Sequence, residues 1–226
     1  MSAPLNIRIF LVLVLVFAGA ALVANADPHL PNNHQGYTPE QPVQYSHRVH
    51  AGELSVDCLY CHSSARNSRH AGIPQTTLCM NCHKTVTSGF DAKREEELAA
   101  EAEGREPVPV FSDEIRKIYD ALALDDNAQR IPGKQPSPIE WVKVHNMPDF
   151  VYFDHRVHVA RGLACQTCHG PVESMERMTQ FSDLSMGWCI DCHRTSGVDP
   201  DIRLDAGQEA FPEGEHVSTD CASCHY

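Results

Sequence analysis

With 226 residues and a formal net charge of -12 at pH 7, the chain has no basic excess for a nucleic-acid backbone, and that class of partner is excluded. Ten cysteines and 14 histidines are the unusual part of the composition. Cysteine at that density points to cross-links or bound groups rather than to ordinary core packing.

The first element is apolar. Ile9 to Ala24 (IFLVLVLVFAGAALVA) form an uncharged run preceded by Arg8. Ala24-Asn25-Ala26 has the small-residue form of a signal-peptidase site, which is one reading. Counted from Leu5 through Ala26, the run approaches the roughly 20 residues that a membrane span needs, which is the other. The expectation is an N-terminal transmembrane anchor over 1–26. Arg8 then marks its cytoplasmic end, and everything after Asp27 lies on the outer face.

All ten cysteines stand in one pentapeptide, Cys-x-x-Cys-His, repeated five times. The copies are CLYCH (Cys58, Cys61, His62), CMNCH (Cys79, Cys82, His83), CQTCH (Cys165, Cys168, His169), CIDCH (Cys189, Cys192, His193) and CASCH (Cys221, Cys224, His225). Cysteine pairs alone also suit zinc knuckles or disulfides. A histidine directly after every pair is the c-type haem attachment signature. Each thiol can form a thioether to a haem vinyl group, and the histidine then lies under the iron as its proximal ligand. Five motifs imply five covalently attached haem c groups, with no cysteine left over.

The motifs fall into repeated units. YSHRVH (Tyr45 to His50) precedes the first two and FDHRVH (Phe153 to His158) the next two, with aromatic and histidine positions in register. This divides the chain into a dihaem module over 27–83, a helical insert over 84–140, a second dihaem module over 141–194, and a C-terminal segment over 195–226 carrying the fifth haem. In the insert, Asp91 to Glu103 reads as a helix closed by Gly104. Ser112 reads as the cap of a second, with Ile115, Ile118, Tyr119 and Leu122 on one face. The acidic run Glu95-Glu96-Glu97 reads as a solvated helix face.

Five irons need five distal ligands. The His-x-x-His pairs His47/His50 and His155/His158 are the leading candidates, because residues three apart on a helical turn project to similar sides. His145 is the fifth. His70 and His216 are rivals, and His29 and His34 are weaker. Met175, Met178 and Met186, just before the fourth motif, compete as sulfur ligands. Their ordinary role would be to line a haem pocket. The distinction matters because His/Met ligation raises a haem's potential relative to His/His.

About 40 residues per haem leaves little side-chain interior. The expected fold is mainly α and irregular, a multihaem cytochrome c with little regular secondary structure plus the one N-terminal membrane helix. Without haem the chain buries too little surface to offset its ordering entropy.

The YSHRVH, CLYCH and CMNCH unit resembles the cytochrome c3 and c7 group. The longer stretches AGELSVDCLYCHSSA, AGIPQTTLCMNCHK, PIEWVKVHNMPDFVYFDHRVH, CQTCHGPVESM and MGWCIDCHR resemble the pentahaem cytochrome subunit of alternative complex III, a bacterial membrane complex that oxidises quinol. The resemblance runs over nearly all of the chain from about Tyr45. It implies an electron-transfer subunit on the periplasmic face of the inner membrane, with no catalytic site of its own. Its implied partners are an iron-sulfur subunit, a monohaem cytochrome c, polytopic quinol-binding membrane subunits and a soluble periplasmic acceptor. It also implies that His47 serves the haem at Cys58 and His50 a different one, with His155 and His158 repeating the arrangement.

Two other classes compete. A catalytic multihaem enzyme such as a pentahaem nitrite reductase needs an iron with an open distal position, usually flagged by lysine in place of a motif histidine. All five motifs here keep histidine. A stand-alone membrane-anchored quinol dehydrogenase fits the topology, but the thirty or so residues between anchor and Cys58 do not favour a quinol pocket in this chain.

Overall fold

The computed structural model describes residues 7, 9, 11–17, 33–195 and 217–226. The chain divides into two units, Met1–Asn33 and His34–Tyr226. In the first, residues 11–17 are helical with exposed apolar side chains. The rest of the expected anchor lies outside the described residues. Among the described residues no helix is long and apolar enough to cross a membrane.

The second unit is built of short helices and irregular chain. Among the described residues there is no strand, and the only ladder contacts are isolated antiparallel bridges between Leu124 and Arg130 and between Val151 and His225. The helices are α1 (Cys58–Cys61), α2 (Thr76–His83), α3 (Phe90–Glu103), α4 (Asp113–Ala121), α5 (His155–Ala160), α6 (Gln166–His169) and α7 (Met186–Thr195). All except α3 and α4 carry a motif or a His-x-x-His pair. A π-helical turn spans Arg48–Glu53, and 3-10 turns span Ser63–Arg66, Val172–Ser174 and Cys221–Ser223.

Local chemistry sets these short elements. Asp57 accepts from the Leu59 amide at 2.7 Å and starts α1 at Cys58, while Asp220 accepts from the Ala222 amide at 2.8 Å and starts the turn at Cys221. Both are N-caps that satisfy an orphan amide at the point where a motif begins. In the insert α3 runs to Glu103 and Gly104 closes it at φ 67, a left-handed conformation that glycine adopts without strain. Ser112 caps α4 through the Ile115 amide at 3.3 Å.

Buried apolar residues are few and unevenly placed. Ala100, Ile118, Tyr119, Ala121 and Ala123 belong to the insert, whereas the rest of the unit has Val43, Ala65 and Val144. The insert therefore holds most of the buried apolar residues among those described, with Phe111 edge-on to Tyr119 at 4.9 Å. Outside it, polar stitching does more of the work. Gln180 is 0% exposed; its side chain accepts from the Asn146 amide and donates to the Ser182 carbonyl, and its backbone pairs with Gly36 and Tyr37. That one residue holds three distant segments together, which its sequence context did not signal.

The two repeats that each carry a His-x-x-His element and two motifs grip each other reciprocally. The turn Arg48–Glu53 of the first packs on Val172–Ser174 of the second, and α5 of the second packs on Ser63–Arg66 of the first. In each case the His-x-x-His element of one repeat rests on the turn that follows the other repeat's leading motif. Gly52 is required at the first contact, because a Cβ there would lie 2.2 Å from the Glu173 carbonyl oxygen. The Arg48 amide donates to the Met175 carbonyl at 2.9 Å, and the Arg48 guanidinium pairs with Glu53 and Glu176. At the second contact the His155 amide donates to the Arg69 carbonyl at 3.2 Å.

Candidate haem-binding centre

The two His-x-x-His elements have nearly the same geometry. Tyr45 stacks on His50 at 4.3 Å and 22° and meets His47 edge-on at 4.9 Å and 82°. Phe153 stacks on His158 at 4.5 Å and 28° and meets His155 edge-on at 4.8 Å and 88°. In both repeats the aromatic ring therefore lies face-on to one imidazole and edge-on to the other. The second histidine of each pair directs Nδ1 to the carbonyl four residues back, His50 to Ser46 and His158 to Asp154, both at 2.8 Å. This correspondence holds although the first element is a π-helical turn and the second an α-helix.

Nδ1 pairing recurs across the candidate ligands. His62 engages the Gly72 carbonyl at 2.7 Å, His83 that of Val86 at 2.7 Å, His193 that of Ser218 at 2.8 Å and His155 that of Arg69 at 2.7 Å. An Nδ1–H donated to a carbonyl fixes the tautomer and leaves the Nε2 lone pair for a metal. Burial reinforces the neutral form. It pushes His47 down to about 4, helped by neighbouring His62 and His50, and lowers His145 and His158. His169 is pushed to about 3 by burial first and then by His145, His155, His62 and His47. Neutral imidazole is the form that ligates.

The pairs fit an iron between them. Two imidazoles bound trans to one metal, with bonds of about 2.0 Å, have ring centroids roughly 6.3 Å apart. His50 and His83 are 6.0 Å apart, His158 and His193 6.2 Å, and His155 and His169 6.4 Å with planes within 6°. His47 lies beside His62 and keeps a buried Nδ1 with no hydrogen-bond partner. None of the ten cysteines forms a disulfide. Among the described residues no three His, Cys, Asp or Glu side chains converge as they would around zinc. The donor set suits haem in both its thiols and its imidazole pairs.

His145 sits elsewhere than opposite a proximal imidazole. Its Nε2 lies 3.1 Å from Nδ1 of His169, with the rings edge-on at 4.6 Å and 86°. His169 thus has His145 on its Nδ1 side and His155 parallel to it. The fifth motif is held by the Val151–His225 bridge, by the Tyr152 amide donating to the Cys224 carbonyl at 2.7 Å, and by Phe150 against the His225 ring at 5.7 Å. Of the methionines, Met175 and Met178 are half-buried and Met186 is 65% exposed at the start of α7. His70 is exposed, His34 directs Nδ1 toward the Val144 carbonyl at 3.3 Å, and His29 and His216 lie outside the described residues.

Asp154 anchors the second His-x-x-His helix. Its carboxylate accepts from the Arg156 amide at 2.9 Å and pairs with the Arg156 guanidinium at 2.5 Å. Although the residue is only 7% exposed, the Arg156 hydrogen bonds outweigh burial and hold the carboxyl at about 2. An unfolded aspartate titrates near about 3.9. With the folded value depressed, the contribution to stability is complete above that value and is lost as pH falls toward 2. Asp154→Asn is therefore expected to remove part of the acid sensitivity. In thermal melts followed by haem absorbance, the gap between wild type and variant should narrow from pH 5 to pH 2. A gap independent of pH would show that the carboxylate is not so held.

Two similarities bear on this arrangement. Residues 151–226 match the family described as cytochrome c7 and related cytochrome c. The chain is also 27% identical over 154 residues to the multihaem cytochrome c subunit of menaquinone reductase from Nitratidesulfovibrio vulgaris (strain Hildenborough). That alignment covers 68% of this chain and 51% of the relative, so the chain spans about half the length of the curated protein it matches. Both similarities are to c-type cytochromes: the family match is confined to the C-terminal third, which holds the third, fourth and fifth motifs, and the relative is by name a multihaem cytochrome c subunit.

Proposed function

We propose that each of the five motifs holds one haem c and that the chain is the pentahaem electron-carrying subunit of a quinol-oxidising membrane complex of the alternative complex III kind. The observation that carries the electron-wire reading is the set of imidazole pairs spaced at 6.0 to 6.4 Å, which leaves no open iron face at those sites. Cys58/Cys61, Cys79/Cys82, Cys165/Cys168, Cys189/Cys192 and Cys221/Cys224 form the thioethers. His62 pairs with His47, His83 with His50, His169 with His155, and His193 with His158. Haem iron supplies a reversible one-electron couple, with its potential set by the axial ligands and their surroundings. At these four sites two imidazoles would hold the iron in both oxidation states, so little would have to reorganise on transfer.

The iron-sulfur subunit of such a complex would deliver electrons, and a monohaem cytochrome c or soluble periplasmic acceptor would receive them. Residues 1–26 would anchor the chain beside polytopic quinol-binding subunits. Membership of a quinone-linked complex is supported by the relative's name. That name also favours a second reading, in which the same wire runs toward a quinone. Purification in mild detergent tests the proposal: an iron-sulfur subunit should co-purify and the complex should oxidise quinol. Migration of the chain alone defeats the complex, and quinone reduction without quinol oxidation selects the second reading.

His145 takes the role of hydrogen-bond acceptor to the proximal imidazole His169. A neutral acceptor on Nδ1–H makes the ligand more electron-donating. His145→Leu should raise one haem potential by on the order of 60 mV, equivalent to a tenfold shift in a one-electron equilibrium. The haem held by His169 should stay low-spin in electron paramagnetic resonance. A new high-spin signal would make His145 an axial ligand instead.

A further inference from the structure

We infer that the five haem sites form a single unbranched row whose order in space is second, first, third, fourth, fifth, so that the Cys79 and Cys221 sites are the two ends. The inference rests on the pentahaem reading and deepens it.

Each junction has its own observation. Between second and first, His47 and His50 share one turn, with His50 facing His83 and His47 beside His62, while Asn81 donates to the Tyr60 hydroxyl at 2.8 Å between the two motifs. Between third and fourth, His155 and His158 share α5 and face His169 and His193, and the Ser182 hydroxyl just before α7 donates to the Cys168 carbonyl at 2.7 Å. The first and third motifs meet through the reciprocal packing of the two repeats. Each His-x-x-His element rests on the turn after the other repeat's leading motif, and His155, which faces His169, directs its Nδ1 to the Arg69 carbonyl just beyond the first motif. The fifth joins the fourth, because His193 Nδ1 engages the Ser218 carbonyl just ahead of Cys221.

The same reciprocity leaves the second motif on the outside. Among the described residues its other packing partner is the insert, where α2 packs on α4 and the Tyr119 hydroxyl donates to the His83 carbonyl at 3.1 Å. An electron crossing the row leaves one site oxidised as it reduces the next, with no proton and no bond exchanged. In this order one end of the row lies beside the insert and the other at the Cys221 motif.

Cryo-electron microscopy of the haem-loaded, detergent-solubilised protein tests the order by tracing each iron to its motif. The expected map has the first and third irons as neighbours, with the second and fifth each having one neighbour at the ends. A second iron next to the third, or a fifth next to the first or second, overturns the row. A pyridine haemochrome count on the same sample separates this from the reading beneath it. A count other than five defeats the pentahaem assignment, whereas five irons in another order defeat only the row.

Discussion

Produced without haem attachment, the polypeptide is expected to lose its tertiary structure everywhere except the insert. The dihaem repeats bury Val43, Ala65 and Val144 as their described apolar core. Burying a large aliphatic side chain contributes about 1.5–3 kcal/mol and an alanine far less. Ordering on the order of a hundred residues costs about 1–2 kcal/mol each for the backbone alone. The deficit must be met by porphyrin surface and axial bonds, in the way a structural metal supplies the folding energy of a small domain. The insert differs because it holds more of the buried apolar residues, Ala100, Ile118, Tyr119, Ala121 and Ala123, with Phe111 edge-on to Tyr119. Chain expressed in cells lacking haem-attachment machinery should therefore lose the near-ultraviolet signal of Trp141 and Trp188. Limited proteolysis should leave protection only around α3 and α4. A cooperative melt with native-like near-ultraviolet dichroism would sink this account of the fold.

Replacing His50 by methionine is expected to produce the largest single change in redox behaviour. His50 faces His83 at 6.0 Å and is held by Tyr45 on its face and Ser46 on Nδ1. Axial ligand choice spans about 0.8 V across haem proteins, and methionine lies on the high side of histidine. One of the five titrating components should move up by on the order of 0.1 V or more. Near-infrared magnetic circular dichroism should show a sulfur-to-iron band absent from wild type. His158→Met should do the same at the site of His193, because its surroundings repeat those of His50. If either variant titrates as wild type and shows no such band, that histidine is not an axial ligand.

Wherever a feature is local, the residues alone disclose it. Two thiols and an imidazole within five positions carry their chemistry regardless of fold, so the attachment points can be read directly. The aromatic residue two positions before each His-x-x-His pair is equally local, and its stacking recurs to within 0.2 Å and about 6° in both repeats. The helix over Phe90–Glu103 and its glycine end follow from propensity and capping within one turn.

What a line of sequence could not decide is anything set between segments far apart along it. His145 stands just upstream of the second pair and looks like one more distal ligand, yet the fold turns it to Nδ1 of His169. Gln180 looks like a surface residue in a polar loop, but three segments converge on it and leave it 0% exposed. The sequence by itself determined the five attachment motifs, with the two thiols and the adjacent histidine of each, because such a motif needs only neighbours in the chain. Only the tertiary structure decided which histidines face each other and that the leading motifs of the two repeats meet. Those relations depend on two elements more than a hundred residues apart resting on each other's turns, with Gly52 leaving room for the Glu173 carbonyl.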